Sequence, residues 1–128
     1  MKTVLFIEDD IGYISSMQEI LEFFNAPFAV VYISSIKEAT LWLSTDNADL
    51  IILDLNLPDS KEIHTILRLL KAAPTARIFV LTGIRISDLV ERCYAIGAVE
   101  VMEKYEVAQN IEMFFSRVHA LLYAESVN

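Results

Sequence analysis

Cysteine occurs once in these 128 residues, and glycine and proline only three times each. A lone Cys93 excludes an intramolecular disulfide and any multi-cysteine metal cluster, and is compatible with a reducing compartment. Within an amphipathic stretch it reads as a small buried helix residue. Gly12, Gly83 and Gly97 are too scattered to build a phosphate-cradling loop of the GxGxxG or Walker type, so nucleotide binding loses its main support. Basic residues are also short. Ten Lys and Arg stand against 18 Asp and Glu, for a net charge of -8, and their scatter supplies no basic face for nucleic acid. No apolar run is long enough for a signal peptide or a membrane span, and no linker, low-complexity tract or repeat interrupts the chain. The expectation is a single soluble domain, 1–128, in the cytoplasm.

What the chain does have is hydrophobic content, 55% of it, enough for a substantial core. Short β-branched runs alternate with longer amphipathic ones. Strands are expected at about 3–7, 28–33, 50–54, 77–82 and 98–102, without polar alternation in the central ones because helices cover both faces. Between them, Ile14, Met17, Leu21 and Phe24 keep helical spacing, as do Ile36, Ala39 and Leu43, and then Ile63, Ile66, Leu67 and Leu70. Ser35 and Glu38 have capping-box form, and Pro74 ends the third helix. A fourth helix is expected over 86–95, with Leu89, Val90 and Cys93 inward and Gly97 as its stop. A fifth spans 107–123. The pattern is an α/β, doubly wound (βα)5 domain, flavodoxin-like, with a five-stranded parallel sheet.

Two of the runs end in acids: Val4-Leu5-Phe6-Ile7-Glu8-Asp9-Asp10 and Leu50-Ile51-Ile52-Leu53-Asp54. Strands that finish at one sheet edge crowd these charges, and each like pair at 4 Å costs about 4 kcal/mol at an effective dielectric near 20. A cation is required. Thr82 closes the fourth strand and Lys104 follows the fifth, so an acidic cluster, a hydroxyl and an ammonium are expected at the carboxyl edge, where doubly wound sheets collect ligands. Those groups suit phosphoryl transfer to a carboxylate. Asp54 is the expected nucleophile, a divalent ion on Asp9 and Asp54 would bridge to phosphoryl oxygens, and Thr82 and Lys104 would hold the others. Mg2+ suits all-oxygen ligation with retained waters. Asp10 reads as a helix cap, His64 and His119 as surface residues, and Trp42 as a partly buried helix residue.

Taken together, these residues resemble the response-regulator receiver domains of two-component signalling, over essentially the whole chain. Glu8-Asp9 is similar to the family's acidic pair, Asp54 to its phosphoacceptor, Thr82 to its hydroxyl and Lys104 to its lysine. Asp54-Leu-Asn-Leu-Pro58 resembles its Asp-x-x-x-Pro segment. The resemblance implies the sheet order 2-1-3-4-5, Mg2+ on Glu8, Asp9, Asp54 and the backbone carbonyl of Asn56, and a sensor histidine kinase or histidine phosphotransfer protein as donor. It also implies a domain that catalyses its own aspartyl phosphorylation and dephosphorylation, with the Asn56 side chain influencing lifetime, and a downstream effector protein as target. Because the chain stops at Asn128, output is expected through association.

Three departures stand out. Lys104 precedes Tyr105 where the family commonly has proline, often cis. A non-proline cis bond costs about 2.5–4 kcal/mol, so a trans bond and a different loop path are expected. Asp59-Ser60-Lys61-Glu62 lacks the usual glycine. Val101 stands where many receivers carry an aromatic rotor. The last helix is apolar beyond a stripe of Val107, Ile111, Phe115, Val118 and Leu122, so a partner surface is expected on Val101, Met102, Tyr105, Met113, Phe114 and Leu121, for homodimerisation or an effector. Two rivals remain. A haloacid-dehalogenase-type phosphatase would want Asp-x-Asp on its first strand, whereas here the position reads Asp54-Leu55-Asn56. A receiver-like binding module would signal without phosphorylation.

Overall fold

Side chains along an extended run point alternately to opposite faces, so a run that is hydrophobic throughout needs cover on both sides. The computed structural model, which describes residues 1–57, 59–61, 63–83 and 87–123, shows how this chain provides it. Strands β1 (Thr3–Ile7), β2 (Ala29–Ile33), β3 (Leu50–Asp54), β4 (Ile78–Thr82) and β5 (Glu100–Glu103) form one sheet in the order β2-β1-β3-β4-β5. Every pairing in it is parallel. This is the expected 2-1-3-4-5 order. A short antiparallel ribbon, Asn56–Leu57 with Ser60–Lys61, leads out of β3.

Helices α1 (Ile11–Phe23), α2 (Ile36–Leu43), α3 (Ile63–Ala72), α4 (Ser87–Ile96), α5 (Lys104–Gln109) and α6 (Ile111–Tyr123) clothe the two faces. Leu5, Ile7, Ile51, Leu53, Ile78, Val80 and Val101 pack with Ile36 and Ala39 of α2, Ile66 and Leu69 of α3 and Cys93 of α4. Their alternates Val4, Phe6, Leu50, Ile52, Phe79, Leu81 and Met102 pack with Met17 and Leu21 of α1, Val107 of α5 and Phe114, Val118 and Leu122 of α6. Each large side chain so buried contributes about 1.5–3 kcal/mol.

Helix ends follow local chemistry. Asp10 caps α1, accepting from the Tyr13 N–H at 3.1 Å, and Ser35 caps α2, accepting from the Glu38 N–H at 3.2 Å. Two helices close in Schellman form, with the residue after the cap at positive φ: Asn25 (50°) after α1 and Gly97 (119°) after α4. In the second, Gly97 N–H donates to Tyr94 O and Ala98 N–H to Cys93 O. Residues 97 and 98 are thereby spent on closing the helix, so β5 starts at Glu100 rather than 98. β2 and β4 each begin one residue later than expected.

The fifth helix is a larger correction. It begins at Lys104 instead of 107 and is two helices, with Asn110 (φ -147°, ψ 79°) between them. Asn110 Oδ1 accepts from the Met113 N–H at 3.1 Å, so a side chain able to cap α6 stops α5. In α3 the buried residues are Thr65, Ile66 and Leu69, while Leu67 lies on the exposed face. Pro58, Glu62 and residue 86, the expected start of the fourth helix, lie outside the described residues.

The outer edge of β5 is blunted by side chains. Val101 N–H donates to the Tyr94 hydroxyl at 3.0 Å and Glu103 N–H to Glu106 Oε1 at 3.3 Å, so two edge donors are closed to strand addition. No described helix is long and apolar enough to cross a membrane.

Candidate functional site

The inward stripe that faces α1 and α6 is apolar until the strands end. Beyond Val4 and Phe6 the next alternate position is Glu8; beyond Leu50 and Ile52 it is Asp54; beyond Met102 it is Lys104. Three strand ends therefore deliver two acids and an ammonium to one place. Glu8 is 0% exposed, its N–H donating to Ile33 O at 3.0 Å, and Asp54 is buried at the end of β3. Lys104 Nζ donates to Glu8 Oε1 at 2.5 Å and to Asp54 Oδ2 at 3.4 Å. Asp9, exposed, completes the group: one oxygen each from Glu8, Asp9 and Asp54 lie within 4.8 Å of one another.

With tyrosine at 105, the backbone of Lys104 is not held out of the helical region. A residue before proline is pushed out of the helical region, but Lys104 is free to open α5 directly after β5. The expected difference in loop path is thus an immediate helix, and among the described residues no peptide bond is cis. Thr82 is buried at the same edge, one residue beyond the Leu81 that pairs with Asp54 and in register with Glu103. Asn56 N–H donates to Asp54 Oδ1 at 3.0 Å.

Among the described residues the pocket is short of positive charge, three carboxylates against one ammonium leaving a formal charge of about -2. Burial, then the hydrogen bond with Asp54 and its charge, pushes the Glu8 carboxyl up from 4.5 to about 7, against the opposing pull of Lys104. Burial alone would lower the Lys104 ammonium, but its hydrogen bond to Glu8 and the charges of Asp54 and Glu8 outweigh this and hold it above its ordinary value. Crowded hard oxygen donors with a residual negative charge fit a small divalent cation such as Mg2+ or Mn2+.

The loop after β3 is pinned despite its lack of glycine. Asp59 Oδ1 and Oδ2 accept from the Ile36 and Lys37 N–H groups at the start of α2, both at 3.0 Å, and Arg68 donates to the Asp59 carbonyl at 2.9 Å. Burial opposes ionisation of Asp59, but the two amides prevail and its carboxyl lies below the ordinary value. Sequence reasoning missed this anchor, and it missed Tyr13, whose ring lies beneath the Lys104 ammonium, 4.3 Å from its centroid. A signal for Tyr13 did exist: it sits in the first turn after the acidic pair, on the helix Asp10 caps.

The expected partner surface is largely interior. Val101, Met102 and Phe114 are buried, and Met113 and Leu121 pack partly buried against the core; Tyr105 is exposed. Val101 and Met102 are alternate residues of a strand covered on both faces. In α6 the core stripe runs through Phe114 and not through the expected Phe115: Phe114 is buried and meets Phe79 edge-on, centroids 5.6 Å apart. Phe115 stacks instead on Phe24 and Phe28, at 5.1 and 6.2 Å, so surplus apolar surface of α6 covers the chain's own connection between α1 and β2. Trp42 is partly buried on α2, and His64 and His119 are exposed, as expected.

Residues 4–114 match the response regulator receiver domain family. Among curated proteins none matches the sequence significantly. Solved structures do. A two-component response regulator from Clostridium difficile is 19% identical, with 97% of this chain and 98% of that one covered and a TM-score of 0.83. The phosphorylated cyanobacterial phytochrome response regulator RcpA is 20% identical over 98% and 96%, at 0.80. The Mn2+-bound form of response regulator Rcp1 is 18% identical over 100% and 99%, at 0.79. With the family match spanning most of its length, the chain belongs to the response-regulator receiver domains.

Proposed function

We propose that residues 1–128 form one phosphorylation-dependent signalling switch in which Asp54 accepts a phosphoryl group from the phosphohistidine of a sensor kinase or histidine phosphotransfer protein. The observation that carries this reading is the convergence of Glu8, Asp9 and Asp54 oxygens within 4.8 Å, with Lys104 bonded to both Glu8 and Asp54. A carboxylate oxygen of Asp54 forms the new bond to phosphorus; the phosphorus–nitrogen bond breaks, and the imidazole keeps its electron pair and takes up a proton from solvent. No general base is needed, because a carboxylate nucleophile has no proton to give up in the step. Glu8, Asp9, Asp54 and the backbone carbonyl of Asn56 are assigned to hold Mg2+, whose chemistry there is to neutralise phosphoryl oxygens. The Mn2+ of Rcp1 supports a divalent ion, and phosphorylated RcpA supports the acceptor role.

Thr82 and Lys104 are assigned to the phosphoryl oxygens. Lys104 would trade its bond to Glu8 for one to the incoming group, a charge-assisted contact that strengthens as charge develops. The same site would hydrolyse the aspartyl phosphate, with the Asn56 side chain near the path of water. The output is association with an effector. Replacing Asp54 with Asn is expected to eliminate hydroxylamine-sensitive labelling by acetyl phosphate in the presence of Mg2+. Undiminished labelling overturns the assignment, and a parent protein that takes no label but binds its target favours a phosphorylation-independent module.

A further inference from the structure

Tyr13 has no part in the assignments above, yet it touches the one ammonium on which they depend. Lys104 Nζ makes three contacts: Glu8 Oε1 at 2.5 Å, Asp54 Oδ2 at 3.4 Å, and the face of the Tyr13 ring at 4.3 Å from its centroid. The third differs in kind. It uses the ring quadrupole rather than a lone pair, so it consumes none of the three N–H donors. An ammonium that must exchange a carboxylate for a phosphoryl oxygen keeps such a contact through the exchange.

The ring is itself held in place. Its backbone N–H closes the α1 cap on Asp10 at 3.1 Å, which ties it to the turn carrying Glu8 and Asp9. It packs at a tilt against the Phe6 ring, centroids 6.4 Å apart at 56°. Met17, Ile20, Val107 and Ile111 line the apolar cavity of about 230 Å³ that Tyr13 and Lys104 share. Such walls weaken the competition of water for the ammonium. The Tyr13 hydroxyl, by contrast, is buried with no hydrogen-bond partner among the described residues. An unpaired hydroxyl is a cost, so the ring, and not its polar tip, is the useful part.

We infer that Tyr13 is a positioning residue for Lys104, its ring holding the ammonium at the acidic pocket while leaving every N–H free for Glu8, Asp54 and the phosphoryl group. The inference rests on the phosphoacceptor reading, and its test separates the two.

Initial rates of acetyl phosphate labelling are measured with saturating Mg2+ for the parent, Tyr13→Phe and Tyr13→Leu, each also combined with Lys104→Met. Tyr13→Leu is expected to slow labelling about fivefold, the factor an ordinary cation–π contact supplies, whereas Tyr13→Phe keeps the ring and stays within about twofold. In the Lys104→Met background Tyr13→Leu should add nothing, because the contact it removes is already gone. Equal slowing in both backgrounds, or slowing by Tyr13→Phe as large as by Tyr13→Leu, overturns the inference. A parent that takes no label sinks the phosphoacceptor reading instead, and the inference is then judged by NMR. The Lys104 methylene protons next to Nζ should be shifted upfield by the ring current in the parent and in Tyr13→Phe. Unshifted protons in the parent overturn it, even if Tyr13→Leu fails to fold.

Discussion

Replacing Glu8 with Gln should make the metal-free protein more stable at neutral and alkaline pH. Glu8 is 0% exposed, beside Asp54 and Lys104, and its carboxyl is pushed up from 4.5 to about 7 by burial, then by its hydrogen bond with Asp54 and that residue's charge. A raised acid holds its proton more tightly folded than unfolded. The folded state therefore binds more protons between those two values, and stability falls as pH climbs through the window. At about 1.4 kcal/mol for each tenfold change in proton affinity, the rise to about 7 corresponds to about 3 kcal/mol of stability lost by pH 8. Gln keeps the shape and cannot ionise. Its advantage should be near zero at about pH 4, grow to pH 7 and level off above, reaching at most about 3 kcal/mol. Urea unfolding followed by circular dichroism in EDTA, at several pH values, measures the difference. Mg2+ should then reverse it: a ligand at a hundred times its dissociation constant adds about 2.7 kcal/mol to the parent, and the variant, short of one ligand, should gain less. A Gln variant that is less stable than the parent at pH 8 in EDTA would refute the account of an acid-crowded pocket.

Two further predictions concern the corrections to the last helix and the fifth strand. Phe114→Ala should cost about 3–5 kcal/mol in urea unfolding because the ring is 1% exposed against Phe79, whereas Tyr105→Ala, 65% exposed, should change stability by less than about 0.5 kcal/mol; similar values for the two would contradict the burial of Phe114. Tyr94→Phe removes the acceptor for the Val101 N–H and should cost about 1 kcal/mol, with faster hydrogen exchange at amide 101 while amide 102, within the sheet, keeps its protection; unchanged exchange at 101 would show that the edge is closed by something else.

The Tyr94 contact also bears on the position where the family often carries an aromatic. Val101 turns its side chain into the core shared with α4, and α4 returns a tyrosine to the backbone of that same residue. The helix and the edge strand are thus joined by an aromatic that comes from the helix. Sequence spacing contains no hint of this, since Tyr94 and Val101 are related only through the Schellman turn at Gly97.

Much of the site was legible before any coordinates. A hydrophobic run without polar alternation must be covered on both faces, so the parallel sheet follows from composition within each run, and the strand ends follow from where the acids begin. Glu8, Asp54 and Lys104 continue one stripe of alternation, which is why residues separated by up to 96 positions meet. The Ser35 cap, the Gly97 stop and the Pro74 limit are local, and local chemistry specified them.

Tertiary packing decided the rest. Helical spacing points to Phe115 for the stripe, yet Phe114 is the residue that is buried and meets Phe79 of the sheet. Periodicity reports a face, whereas the interdigitation of two surfaces picks residues within it. Asp59 gains its role because α2 points two amides at it, and Tyr13 because the start of α5 brings the Lys104 ammonium over its ring. The order of polar residues along the chain therefore determined which chemistry this domain carries. Which side chains hold that chemistry in place depended on the approach of elements distant in sequence, which no one-dimensional pattern records.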